Sequence, residues 1–259
     1  MKHIKKYKLF EAALVLTKEQ ISFLDEYTDG TWSINKEGFV DINGRFICIA
    51  ANITDFKGIQ FGTIKGDFIC ARNKLTSLEG APQEIGGHFN CSNNKLTSLK
   101  GAPKESTGAF ICYNNKLTSL KGSPQEVGNF DCHNNKLTSL EGAPQEVGHF
   151  ICSRNKLISL KGAPQKINNV FHSDFFICTK GEWTPSWIVE NINKYPILMT
   201  IATPKFLQEE IDKNPGKMIR LIKSHWNKLK KKPEYKSVKF PDNFKKTITV
   251  AANLADIGL

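Results

Sequence analysis

The chain has 259 residues, of which 40% are hydrophobic and 24% are charged, a composition typical of a folded globular protein. No apolar run approaches the roughly 18 residues that a membrane-spanning helix needs, so no membrane contact is expected. The formal net charge is +11, and it is concentrated at the two ends. Residues 1–11 carry four lysines and one acid, and residues 205–259 carry 13 basic and six acidic residues. The part between them is nearly neutral.

The first predicted element is a helix near the N-terminus. Thr17-Lys18-Glu19-Gln20 has the spacing of a capping box, in which the Thr17 and Gln20 side chains each bond the backbone of the other residue. This motif predicts a helix to about Tyr27. The Asp29-Gly30 turn then leads into two short predicted strands, at 32–34 and 39–42.

The central part of the chain repeats with a period of 20–22 residues. Each unit contains a Phe, a Cys two residues later, an Asn three residues after that, and then two Leu before a Gly-Ala-Pro or Gly-Ser-Pro turn. Such a period is typical of a solenoid, in which stacked units share one core. We therefore divide the chain into an N-terminal cap (1–45), about six repeat units (46–169), and a terminal repeat strand with a basic helical domain (170–259).

The residue types of one unit predict how it folds. Phe and Cys lie two apart on a strand, so both point into the core and the residue between them points out. The Asn is expected to bond backbone groups at the bend after the strand, and Gly and Pro set the back turn.

The cysteines raise a separate question, because neighbours one strand spacing apart would lie within disulfide range. Their odd number and the lack of any CxxC pair fit neither a disulfide framework nor a zinc site. We expect buried thiols of a reducing compartment, with no metal and no cofactor. The seven are Cys48, Cys70, Cys91, Cys112, Cys132, Cys152 and Cys178.

One segment carries a family resemblance. Val127-x-x-Phe130-x-Cys132-x-x-Asn135-x-Leu137 resembles the leucine-rich-repeat pattern LxxLxLxxNxL, with Phe and Cys replacing two Leu. The segment that begins at Val147 does the same, whereas the repeats at Ile64 and Ile85 carry one extra residue before the Phe. The short period resembles the short bacterial class of these repeats. The run Asn-Lys-Leu-Thr-Ser-Leu-x-Gly-Ala-Pro is similar to repeat proteins encoded by large tailed bacteriophages.

The resemblance implies an α+β fold. It would be a leucine-rich-repeat solenoid with short parallel strands on the concave face, an extended or turn-rich back, and helical caps at both ends. Outward positions of the strands would then form the binding surface. The candidates are the outward residues that differ from repeat to repeat, namely His88, Asn90, Ile111, Tyr113, Asp131, His133, His149, Ile151 and Arg154.

These candidates combine aromatic and aliphatic groups with a polar rim, as a protein-binding surface requires. A metal or catalytic cluster of Asp131, His133 and His149 is the alternative, but their spacing comes from the repeat and not from a ligand motif. No residue is assigned a catalytic role. The lysine that follows each ladder Asn is interpreted as part of a solvated edge, with polyanion binding as the alternative.

Residues beyond the repeats are predicted to be helical. Thr184-Pro185, Thr203-Pro204 and Asn214-Pro215 each read as a helix start. We expect helices near 185–194, 204–213, 215–231 and 243–256.

The sequence thus predicts a non-enzymatic protein-binding repeat module that binds an unidentified protein partner, and the resemblance implies a phage accessory or virion-associated protein. The alternative is nucleic-acid or polyanion binding through the C-terminal lysines. Glu11 interrupts the short apolar run 9–16, so a signal peptide is not predicted, and a cytoplasmic (bacterial host) or virion-associated location is expected. Leu9-Phe10-Glu11 also fits the (Leu/Ile)-x-Glu pattern that prohead proteases of some tailed phages cut.

Overall fold

The computed structural model describes residues 16–157, 160–173, 177–178 and residue 231. Within them lie one helix and an 11-stranded sheet. The predicted C-terminal helices and the Leu9-Phe10-Glu11 motif fall outside the described residues. In chain order the elements are α1 (Lys18–Tyr27), β1 (Thr28–Ile34), β2 (Val40–Ile47), β3 (Phe61–Ile64), β4 (Phe68–Ile69), β5 (Glu84–Ile85), β6 (Phe89–Asn90), β7 (Glu105–Ile111), β8 (Glu126–Asp131), β9 (Glu146–Ile151), β10 (Lys166–His172) and β11 (Ile177–Cys178).

Helix α1 begins with the capping box that the sequence predicts. The backbone N–H of Gln20 donates to Thr17 Oγ1 (3.2 Å), and the backbone N–H of Thr17 donates to Gln20 Oε1 (2.8 Å). Phe23 and Leu24 are buried, and the Phe23 ring lies 5.7 Å from that of Phe46. The helix therefore packs against the first turn of the repeats. No helix among the described residues has the length and apolar character needed to cross a membrane.

Strands β1 and β2 form an antiparallel pair that is longer than predicted. Their register runs from Thr28 opposite Phe46 to Ile34 opposite Val40. Because β2 continues into Phe46, the predicted N-terminal cap and the first repeat share one strand.

Each repeat makes one turn of a solenoid, and its strand pairs in parallel with the strand of the next turn. The repeat phenylalanines lie opposite one another from turn to turn along the whole stack. Among the described residues, the connections on the back contain turns and no helix. The predicted repeat solenoid with parallel strands and a turn-rich back is confirmed.

Helix is scarcer than the predicted α+β class implies, because α1 is the single helix among the described residues. This part of the chain is a parallel β-solenoid. The leucine-rich identity and the helical caps stay predictions.

The strands differ from the predicted Phe-x-Cys fragments by starting earlier, as in Glu105–Ile111. The extra residue before Phe in some repeats also has a visible effect. In two of these turns the strand is divided, into β3 and β4 and into β5 and β6, whereas β7 is continuous and its register shifts against β8. An inserted residue leaves one position unpaired, which is how a β-bulge arises.

The core is a stack of phenylalanine rings flanked by cysteines and leucines. Phe68, Phe89, Phe110, Phe130 and Phe150 are fully buried, and successive rings lie 5.1–5.7 Å apart in nearly parallel planes. Each buried Phe contributes about 1.5–3 kcal/mol relative to exposure. Each ring is buried by the turns on both sides of it, so the stability of one turn depends on its contacts with its neighbours.

An asparagine ladder closes the bend after each strand, as predicted. In the turn of Asn115, the side-chain amide donates to the carbonyls of Cys91 (3.0 Å) and Cys112 (3.2 Å), while its oxygen accepts from the backbone N–H of Leu96 (3.0 Å). Asn73, Asn94, Asn135 and Asn155 make the equivalent contacts. Each amide therefore joins two successive turns.

The Gly of the back turn has a steric explanation. Gly101 has φ +89°, and a Cβ there would lie 2.7 Å from the carbonyl oxygen of Leu78 in the preceding turn. A side chain would both strain the backbone and separate the turns.

Candidate functional site

The structure places the nine candidate residues in four consecutive turns of the stack. Ile111, Asp131 and Ile151 occupy one register column on β7, β8 and β9. The inward alternate positions are Phe and Cys, so these three lie on the outward face, where they are half-buried. Asp131 is therefore a carboxylate set between two isoleucines.

Tyr113, Asp131 and His133 form a contact cluster, which we call the Tyr–His cluster. The rings of Tyr113 and His133 stack with centroids 4.5 Å apart and planes 17° from parallel. His133 Nδ1 lies 2.7 Å from Asp131 Oδ1, and the backbone N–H of His133 donates to the same oxygen (3.1 Å). Because a carboxylate only accepts, Nδ1 carries a proton and Nε2 is an acceptor when the ring is neutral. The cluster presents a fixed aromatic surface with a defined polar edge.

The side chain of His88 is hydrogen-bonded to the backbone of the next turn. Its Nδ1 accepts from the backbone N–H of Ala109, 2.8 Å away, at the bulge in the following turn. Asp67 does the same for the N–H of His88 (2.7 Å), and Asn129 for that of His149 (2.8 Å). A side chain at this position thus supplies an acceptor for a backbone N–H of the following turn.

The remaining candidates lie apart from the Tyr–His cluster. Asn90 Oδ1 accepts from the backbone N–H of Ser92 (3.0 Å), so this side chain also holds its own bend. Arg154 is exposed and adopts a left-handed backbone (φ 55°) three residues after the end of β9. The structure therefore brings Tyr113, Asp131 and His133 into contact, and it leaves Asn90 and Arg154 outside this cluster.

A groove that the sequence did not single out is lined by the first residues of β8 and β9. It has a volume of about 690 Å³, and its floor includes Gly128 and Gly148. A Cβ at Gly148 would lie 2.6 Å from Asn129 Oδ1 and 2.8 Å from the Gly128 carbonyl oxygen. The recurring Gly two residues before Phe was the available signal. Glu146, which lines the groove, already accepts a hydrogen bond from Lys166 Nζ (2.5 Å).

The cysteines behave as core residues. Cys70, Cys91, Cys112 and Cys132 are fully buried free thiols. Burial raises the pKa of Cys48 to about 12, with a smaller contribution from the charge of Glu26. Burial likewise raises the pKa of Cys112 and Cys132 well above the ordinary range. A buried thiol that stays protonated is a poor nucleophile. Across the described part of the chain, no three His, Cys, Asp or Glu side chains group as metal ligands would.

Comparison of the chain with protein-family models, with curated proteins and with solved structures finds no significant match. The fold defines the chain as a parallel β-solenoid repeat protein. Its resemblance to leucine-rich repeats and to phage repeat proteins stays a prediction.

Proposed function

We propose that the protein is a non-enzymatic binding module that holds a protein partner against the Tyr–His cluster and its two flanking isoleucines. The observation that carries the proposal is the stacked Tyr113–His133 pair, fixed by Asp131 on the outward face. The outward columns to which these residues belong change residue type between turns, whereas the Phe, Cys, Asn and Leu columns repeat. The core residues are the same in every turn, so they do not distinguish one turn from another.

The chemistry of this surface suits a protein partner. Aromatic residues are enriched at the centre of protein interfaces, where half-buried aliphatic neighbours exclude water. A ring held by stacking and by a charge-assisted hydrogen bond loses little freedom on binding. The column beneath it is a rigid hydrogen-bonded sheet, so the surface is preorganised.

We also infer that the repeats are of the leucine-rich type and that the protein acts inside a bacterial host or in a virion. This part of the proposal is supported by the repeat pattern and by the free, buried thiols, which suit a reducing compartment. Mass spectrometry of the protein from native particles tests the processing motif. A chain still joined between Glu11 and Ala12 would argue against cleavage there.

Site-specific photo-crosslinking tests the binding surface. A benzoylphenylalanine at position 113 should capture a discrete partner from native cells, whereas the same group at exposed Ser33 of β1 should not. The double variant Tyr113→Asp/Ile151→Asp should lose the partner without loss of folding, and Ser22→Asp/Ser33→Asp matches its charge change. Equal capture by both double variants would reject the surface.

The alternative, polyanion binding through the C-terminal lysines, is favoured by the excess positive charge of residues 205–259. It predicts binding that weakens steeply with salt and depends on Lys228, Lys230 and Lys232.

A further inference from the structure

The repeat region is nearly neutral in total, but its charges are separated in space. The acids Glu84, Glu105, Glu126 and Glu146 are the first residues of their strands. The repeat lysines follow the ends of the strands, in the bend that the asparagine ladder closes. A strand of 7 residues such as β7 extends about 20 Å, so these four glutamates and the lysines of the bend lie at opposite ends of the strands.

We call the side of the solenoid that carries the repeat lysines the basic edge. It consists of columns, each formed by the same position in successive turns. In each turn an exposed or half-buried position two after Cys is followed by the largely buried Asn, an exposed Lys and a buried Leu, and in four of the turns by an exposed Thr. The five described turns contain no Asp or Glu at these exposed positions. The residues are Arg72, Asn93, Asn114, Asn134 and Arg154; Lys74, Lys95, Lys116, Lys136 and Lys156; and Thr76, Thr97, Thr118 and Thr138.

The backbone fixes the spacing of the lysine column. The N–H of each of these lysines donates to a carbonyl of the preceding turn, as for Lys95 to Leu75 (2.9 Å) and Lys116 to Leu96 (2.8 Å). The backbone positions that carry the ammonium groups are therefore one strand spacing apart, about 4.8 Å. Within the described residues, no carboxylate lies within 4.0 Å of any of the five.

The acid of the following back turn does not cancel this charge. Glu141, five residues after Lys136, bonds Lys161 (2.6 Å), which together with Lys121 lowers the pKa of Glu141. Salt screens charges over about 8–10 Å, which is less than the width of the sheet and more than the lysine spacing. The lysines thus act together, while the strand-start glutamates are screened from them.

We propose that the basic edge binds a chain of phosphate groups laid along the solenoid axis. Its residue types are Lys, Arg, Asn and Thr, the side chains that contact phosphate oxygens in nucleic-acid complexes. The columns hold no aromatic side chain on which a base would stack, so recognition is of the phosphate chain and not of sequence. The same chemistry is offered by single-stranded nucleic acid and by inorganic polyphosphate.

Fluorescence anisotropy of the full chain with a labelled single-stranded oligonucleotide tests the proposal. The triple variant Lys95→Gln/Lys116→Gln/Lys136→Gln should bind about hundredfold more weakly near 0.1 M salt. The slope of log affinity against log salt should shrink by about 2, since each lost contact removes about 0.7 for a single strand. The control Lys36→Gln/Lys65→Gln/Lys104→Gln removes the same charge from exposed lysines elsewhere and should bind like the wild type.

Three further arms decide the outcome. Lys95→Arg/Lys116→Arg/Lys136→Arg keeps the charge and should keep binding, which separates charge from folding. Polyphosphate should displace the oligonucleotide, and the tighter of the two identifies the source of the phosphates. Polyglutamate should not displace it. The proposal is overturned by equal binding of the Gln variant and its control, by no binding of either phosphate polymer at low salt, by equal competition from polyglutamate, or by loss confined to a variant of Lys228, Lys230 and Lys232.

Discussion

Replacing one ladder asparagine tests how the turns are held together. In Asn115→Ala, the backbone N–H of Leu96 loses its acceptor, because Asn115 Oδ1 is the group it bonds. The carbonyls of Cys91 and Cys112 lose one donor each but keep a second, from Asn94 (3.1 Å) and Asn135 (3.1 Å) respectively. The main cost is thus one buried, unpaired N–H.

The magnitude follows from that count. A buried donor without a partner costs about 1–3 kcal/mol, and each lost hydrogen bond that leaves a partner satisfied costs about 1 kcal/mol or less. We expect Asn115→Ala to lower the free energy of unfolding by about 2–4 kcal/mol. Asn115→Asp keeps the acceptor but aims a carboxylate at backbone carbonyl oxygens, so it should be at least as destabilising at neutral pH.

Urea denaturation followed by circular dichroism measures this loss. The slope of the transition should be reported with its midpoint, because separate melting of neighbouring turns would reduce the slope. The exposed neighbour Lys116→Ala is the matched control and should change the stability by no more than about 0.5 kcal/mol. An Asn115→Ala chain within the same range of the wild type would refute the role assigned to the ladder.

Two further predictions concern the core. Phe110→Ala removes a fully buried ring stacked at 5.1 and 5.3 Å between its neighbours, and it should cost about 3–5 kcal/mol in the same assay. A loss below 1 kcal/mol would show that the stack is not the core. The buried thiols should make the fold sensitive to alkali: burial raises their pKa in the folded chain, so stability is complete below the unfolded pKa near 9.0 and falls as pH rises above it. Each thiol contributes about 1.4 kcal/mol per pH unit in that range, so Cys112→Ala should show a shallower decline between pH 8 and pH 10 than the wild type, and parallel curves would contradict the assignment.

The repeating residues allowed most of the scaffold to be predicted. Phe and Cys at two-residue spacing indicated a strand with an inward face, and the Asn after each Cys indicated the ladder at the bend. Both depend on contacts that every turn makes with the next, so the pattern appears in the sequence many times. The length of the strands was missed, because the residues before Phe are mostly Gly and polar and carry little β-propensity.

The candidate site was predictable in part. The outward placement of Tyr113, Asp131 and His133 follows from alternation, but their contacts depend on side-chain conformations that no spacing specifies. The backbone role of His88 was missed, because a bulge is invisible until the strands are paired. The lysine ladder was recognised in the sequence, with polyanion binding as an alternative, but its separation from the glutamates at the strand starts was not. A charge count along the chain averages residues that the fold places about 20 Å apart.

The asparagine ladder has a consequence for how such a chain can change over time. Every amide links its own turn to the one before it through backbone groups alone. A whole repeat can therefore be gained or lost while each ladder amide meets the same backbone groups in its new neighbour. Deleting the turn of Asp131 and His133 would leave the stack continuous and set Tyr113 beside Ser153. The modular unit of variation is thus the turn, and duplication or deletion of one turn exchanges the outward surface while the scaffold is retained.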